Sequence, residues 1–193
     1  MTVSRNHLLK RKMEGTTVDK PKSNFGFKFM ALGYKFRDFF VPRMNILKEV
    51  GIKPGSHVLD YGCGPGGYII PLAKLVGKSG KIYALDINPL AIQVVQSIAS
   101  RKQLTNVETI CSACKTGLPD NSLDVVLLYD TFHKLGDPDG VLQELHRILK
   151  PSGILSFSDH HMEENEIVAK VTDTGLFRLS RKGKRTHNFM KEE

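Results

Sequence analysis

The chain has 193 residues, a hydrophobic fraction of 40% and a net charge of +8. That is apolar material for one domain with a small extension, not for a wholly disordered chain. No run of about 18 apolar residues is present and the start, MTVSRNHLLKRKMEG, lacks an apolar stretch of signal-peptide length, so neither a spanning helix nor secretion is expected.

Three cysteines are an odd, low count, which suits a reducing cytoplasm better than a disulfide framework. The charge is unevenly spread. Residues 1–35 carry eight Lys/Arg against two Asp/Glu, and residues 170–193 carry seven against three. The middle is slightly acidic, with thirteen against fifteen. The basic ends are either solvated tails or an attraction for an anionic partner such as RNA.

Residues 1–24 are polar and aperiodic and read as a mobile basic tail. Residues 25–50 are expected to form an aromatic lid and helix. Phe25, Phe27, Phe29, Tyr34, Phe36, Phe39 and Phe40 crowd there, and apolar spacing from Phe36 to Val50 suits an amphipathic helix that Gly51 ends. Residues 51–193 then alternate. Strands are predicted at His57–Tyr61, Lys81–Asp86, Val107–Cys111, Leu123–Tyr129 and Ile154–Ser158. Helices are predicted near Tyr68–Val76, Pro89–Arg101 and Gly140–Leu149, with Asn88 available as a cap. A short helix at Glu163–Val171 and a hairpin of Leu176–Ser180 with Thr186–Met190 close the chain. The pattern predicts an α/β fold with a mostly parallel sheet, helices on both faces and a C-terminal antiparallel hairpin.

The first strand runs into Asp60-Tyr61-Gly62-Cys63-Gly64-Pro65-Gly66-Gly67. Glycines after a strand let the chain turn sharply and let a ligand approach the backbone, and the following helix offers its N-terminal amides. Gly62, Gly64 and Gly67 satisfy the dinucleotide spacing, and Asp86 stands where a ribose-binding acid belongs. Asp60 argues against a pyrophosphate, because an anion beside the turn repels another anion. A ligand carrying an ammonium or sulfonium cation gains from it.

Val58-Leu59-Asp60-Tyr61-Gly62-Cys63-Gly64-Pro65-Gly66 resembles the first motif of class I S-adenosylmethionine-dependent methyltransferases, of the type 11-like kind. LPDNSLDVV at residues 118–126 and ELHRILKPSG at residues 144–153 resemble later signatures, in the right order. The resemblance covers about residues 50–160. It implies seven strands ordered three-two-one-four-five-seven-six, with strand seven antiparallel, and S-adenosylmethionine as cofactor. It implies that Gly62, Gly64 and Gly66 pass under the methionine part, with Tyr61 and Cys63 in the same turn. Asp60 would organise the turn and hold the amino group, Asp86 would accept from both ribose hydroxyls, and Ile87 would lie against the adenine. Many relatives carry an acid after the third strand that accepts from the adenine amine. Here Ser112 and Ala113 stand in its place, so Ala113→Asp is expected to tighten cofactor binding. Cys111 and Cys114 form a lone C-x-x-C without a second pair, which reads as structural.

Ligands of open parallel sheets bind beyond the C-terminal strand ends. Strand four ends at Tyr129-Asp130-Thr131-Phe132-His133 and strand five at Ser158-Asp159-His160-His161. His133 or His160 suits a general base at neutral pH, with Asp130 beside them and Tyr129 at the cofactor. Alternatives are a divalent metal on Asp130, Asp159 and His160, since strand ends in catechol O-methyltransferases look similar, and a merely supporting or capping role for these side chains; no metal is expected on balance. No N-P-P-Y segment follows strand four, and no Pro-Cys pair is present, which disfavours adenine-N6, glutamine-amide and cytosine-C5 methylation. The expectation is methyl transfer to a small-molecule acceptor in the cytoplasm, with no membrane partner. An RNA methyltransferase acting through the basic termini and a non-catalytic S-adenosylmethionine-binding protein are the alternatives.

Overall fold

In this computed structural model residues 43–192 are described. The expectations for residues 1–42, the tail and most of the aromatic segment, lie outside them. Helix α1 spans Arg43–Lys48, within the stretch where an amphipathic helix is expected, and puts Leu47 into the core.

Strand β1 (His57–Tyr61) lies inside a seven-stranded sheet with β2 (Lys81–Asp86), β3 (Val107–Cys111), β4 (Leu123–Tyr129), β5 (Leu149–Ser158), β6 (Phe177–Lys182) and β7 (His187–Lys191). The strand order is β3-β2-β1-β4-β5-β7-β6, and only β7 runs against its neighbours. The expected order is therefore found. Helices α2 (Ile69–Val76), α3 (Pro89–Arg101), α4 (Pro138–Ile148) and α5 (Glu164–Thr172) make the crossovers. Asn88 caps α3 by accepting from Leu90 N–H at 3.0 Å, with Pro89 at the first helical position, where no N–H is needed.

Alternation along β4 explains how one apolar strand serves two cores. Val125, Leu127 and Tyr129 join Leu47, Ile69 and Leu72 on one face. Val126 and Leu128 join Leu142, Leu145 and Phe157 on the other. Leu127 is fully buried, so truncation to Ala is expected to cost about 2–5 kcal/mol.

Two boundaries differ from the sequence expectation. Strand β5 begins at Leu149 instead of Ile154, because Leu149 pairs with Leu123 before an irregularity in the ladder. The hairpin turn falls two residues later than expected, after Lys182. The LPDNS and ELHRILKPSG segments meet in space. Arg147 donates to Asp120 at 2.5 Å and to the Leu118 carbonyl at 2.9 Å, while Glu144 accepts from the Thr116 amide and hydroxyl. The Arg147 hydrogen bonds hold the Glu144 carboxyl down at about 2. This network fixes the loop after β3, which carries Ser112 and Ala113.

Candidate functional site

The C-terminal edge of the sheet carries two groups of side chains. The first is the turn after β1. Gly62, Gly64 and Gly66 all have φ between +50° and +77°, a region that favours glycine. A Cβ on Gly62 would strike the Thr131 side chain, so Thr131 from the end of β4 packs directly on the turn. A Cβ on Gly64 would meet nothing within 4 Å, which leaves open space above the backbone.

Asp60 is 2% exposed, and its Oδ2 has no hydrogen-bond partner among the described residues. Burial pushes its carboxyl up to about 7, against the opposing charge of Arg43. Arg43 lies where a Cβ on Gly67 would be, and its guanidinium stands 4.5 Å from the centre of the Tyr68 ring. It thus comes from α1 to the amino-acid side of the turn. Sequence reasoning passed over Arg43; a cation preceding a buried acid by a whole loop leaves no local spacing to detect.

Asp86, at the end of β2, accepts from Gly64 N–H at 2.9 Å and from Asn88 N–H at 2.8 Å, one on each oxygen. Each oxygen keeps a second lone pair, as two ribose hydroxyls require. Burial raises its pKa, and the Asn88 and Gly64 amides oppose that. Ile87 follows it. Ser112 lies beside them, its N–H on the Asp86 carbonyl at 3.2 Å. Tyr61 turns away from the open space and donates its hydroxyl to the Ala113 carbonyl at 2.7 Å. Cys63 is buried, and burial, followed by the charge of Asp60, pushes its thiol well up. A zwitterionic, ribose-bearing ligand such as S-adenosylmethionine fits this donor set: an orphaned buried carboxylate oxygen for an ammonium, a second carboxylate for a diol, and a Cβ-free floor between them.

The second group lies beyond β4 and β5, where the pairs cross over. His133, after β4, sits with Nδ1 2.7 Å from Oδ2 of Asp159, after β5. His160, after β5, sits with Nδ1 2.6 Å from Oδ1 of Asp130, after β4. The backbone N–H groups of His133, His160 and His161 also donate to these carboxylates. Asp130 has φ of +52°, an unusual backbone for a residue other than glycine. The His161 ring stands 4.2 Å from His133 and 3.9 Å from His160. Burial, then the two neighbouring rings, lower its pKa. One ligand atom each from Asp130, Asp159 and His160 falls within 4.8 Å of the others.

A cavity of about 480 Å³ opens beside this cluster. Tyr129, Asp130, Asp159 and His160 line it from the sheet, and residues 182–185 and His187 line it from the hairpin. His133 does not line it, so the structure separates the two candidate bases. Tyr129 belongs to this cavity; its hydroxyl is engaged with Ser156 at 2.8 Å, and its ring packs edge-on against Tyr68.

Residues 52–191 match the family model described as a methyltransferase domain. Over 119 residues the chain is 34% identical to a demethylmenaquinone methyltransferase of Geobacillus sp. strain WCH70, covering 61% of this chain and 51% of that one. Over 138 residues it is 34% identical to a ubiquinone/menaquinone biosynthesis C-methyltransferase of Cellvibrio japonicus, covering 69% and 54%. The chain thus spans about half the length of these curated relatives. The crystal structure of a SAM-dependent methyltransferase from Aquifex aeolicus superposes with a TM-score of 0.67 at 33% identity, covering 76% of this chain and 87% of that one. With the family model spanning the whole sheet and the strand order that goes with it, the chain belongs to the class I S-adenosylmethionine-dependent methyltransferases.

Proposed function

We propose that the protein transfers a methyl group from S-adenosylmethionine to a small acceptor held in the cavity beyond β4 and β5, in the cytoplasm. The observation that carries this reading is adjacency. Thr131 packs on Gly62 of the turn, while Asp130, its neighbour in the chain, lines the cavity. The cofactor supplies an electrophilic methyl group on a sulfonium. Asp60 binds the ammonium, Asp86 the ribose diol, and the glycine turn lets the backbone come close. Ile87, Ser112 and Ala113 border the adenine.

His160 is the base that this geometry favours, because it lines the cavity. A carboxylate at Nδ1 holds the imidazole proton there, so Nε2 carries a free lone pair for the acceptor's proton. Asp130 is its positioning residue. His133 is oriented in the same way by Asp159 but serves the cluster from outside the cavity. The relatives named for demethylmenaquinone and for a C-methyltransferase support a small-molecule acceptor methylated at carbon.

The test is titration calorimetry with S-adenosylmethionine, S-adenosylhomocysteine and NADH, followed by an acceptor screen that reads S-adenosylhomocysteine release. Micromolar binding of the first two ligands alone, with turnover of a small acceptor, is expected. Binding of NADH alone overturns the reading. Tight cofactor binding with no turnover on small acceptors or RNA would leave a binding protein only.

A further inference from the structure

The charges that line the acceptor cavity do not balance among themselves. Its three acids each have a partner: Asp130 with His160, Asp159 with His133, and Glu164 with Lys182 and, at longer range, His187. Two of its cations do not. Lys184 and Arg185, in the turn between β6 and β7, make no side-chain hydrogen bond or ion pair among the described residues, and both line the cavity. Behind them His187 is 9% exposed, also lines the cavity, and neither of its ring nitrogens has a hydrogen-bond partner. Glu164 Oε1 lies 3.7 Å from its Nε2, beyond hydrogen-bond reach.

A buried imidazole whose ring nitrogens make no hydrogen bond is costly to leave so, and a bound acceptor atom removes that cost. The hairpin itself is held in place. The Arg185 and Gly183 amides donate to Glu49 Oε2 and the Thr186 carbonyl, so the backbone of the turn is fixed while the two cationic side chains stay available. Exposed cations alone are ordinary surface. Two unmatched cations converging on one cavity wall with a buried imidazole whose ring nitrogens make no hydrogen bond are a binding arrangement for an anion.

We propose that the acceptor carries an anionic oxygen group, a carboxylate or a phosphate, which Lys184, Arg185 and His187 bind on the hairpin wall opposite Asp130 and His160. This rests on the methyltransferase reading and narrows its substrate class. The anion anchors one end of the molecule on the hairpin, and the nucleophilic atom faces the strand ends.

The experiment uses the full chain saturated with S-adenosylhomocysteine and matched probes that differ in charge. Benzoate is paired with benzamide, and phenyl phosphate with phenol, each titrated by ligand-observed NMR. At least one anion is expected to bind one-to-one, about tenfold more tightly than its neutral partner. Lys184→Ala with Arg185→Ala is expected to bring the pair to parity, and His187→Phe to weaken the anion without touching the neutral probe. Equal binding of charged and neutral probes, or binding of neither anion up to about 10 mM, overturns the proposal. So does a preference that survives the double substitution. Carboxylate and phosphate are distinguished by which pair shows the preference. A short RNA that binds through Lys184 and Arg185 where the small anions do not would also overturn it. Cofactor titration in the same samples keeps the outcomes apart: loss of S-adenosylhomocysteine binding counts against the methyltransferase reading, whereas intact cofactor binding without anion preference counts against this one alone.

Discussion

Beyond β1 and β2 the polar groups face open space; beyond β4 and β5 they face each other. Asp60 keeps an oxygen without a partner, and Asp86 spends one lone pair per oxygen on backbone amides and holds the others ready. Asp130 and Asp159, by contrast, each hold a histidine ring and a backbone N–H from the opposite strand end, and Asp159 also accepts from His161 N–H beside it. The first region is prepared for a ligand by leaving groups unmet, at a cost in burial that shows in the raised Asp60 pKa. The second is prepared by locking its groups in one orientation. Binding sites tolerate orphaned groups because the ligand satisfies them, whereas proton transfer needs a fixed direction.

Substitutions on the two sides should therefore fail in different ways. The largest effect is expected at His160. With the acceptor returned by the screen, His160→Gln lowers kcat by about 100-fold or more and leaves cofactor affinity unchanged, while His133→Gln has a smaller effect. Equal effects from the two would erase the distinction drawn from the cavity. Next is Asp86→Ala, expected to weaken S-adenosylmethionine by about 10–100-fold in calorimetry through lost charge-assisted hydrogen bonds to the ribose.

The third is a pH effect at Asp60. Its folded pKa of about 7 lies above the ordinary 3.8, so the folded chain holds this proton more firmly than the unfolded one. The stability of the cofactor-free protein should fall as pH rises from about 4 and level off beyond 7, with Asp60→Asn flattening that part of the profile. Cofactor affinity should move the other way, rising about tenfold between pH 6 and pH 8 as the carboxylate that meets the ammonium forms. Melting curves and calorimetry across that range read both. The smallest effect is Ala113→Asp, expected to tighten the cofactor about fivefold by restoring an acceptor for the adenine amine.

Sequence made the cofactor side far more legible than the acceptor side. Asp60, the glycines and Asp86 lie close together in the chain, so the turn stands out in the sequence, and the family resemblance supplies the roles expected of them. The pairing of His133 with Asp159 and of His160 with Asp130 joins residues 26 and 30 positions apart. Nothing local shows that the two strand ends exchange partners, and nothing local separates the histidine in the cavity from the one outside it. The early start of β5 was hidden for a similar reason: Lys150-Pro151-Ser152-Gly153 has the composition of a turn, and only Leu123 across the sheet draws Leu149 into the ladder. His187 was read only as part of a strand, since its lack of a partner is a property of its surroundings.

The place of β7 has a consequence for synthesis. It is made after β6 but inserts between β5 and β6, and its residues 187–190 pair with Ile154–Phe157. Until those residues leave the ribosome, the outer edge of β5 has no neighbour, although Leu155 and Phe157 belong to the finished core. A nascent chain halted before Thr186 would present an unpaired apolar edge open to other chains. It would also lack the hairpin wall of the cavity, so the same late strand completes the sheet and closes one side of that cavity.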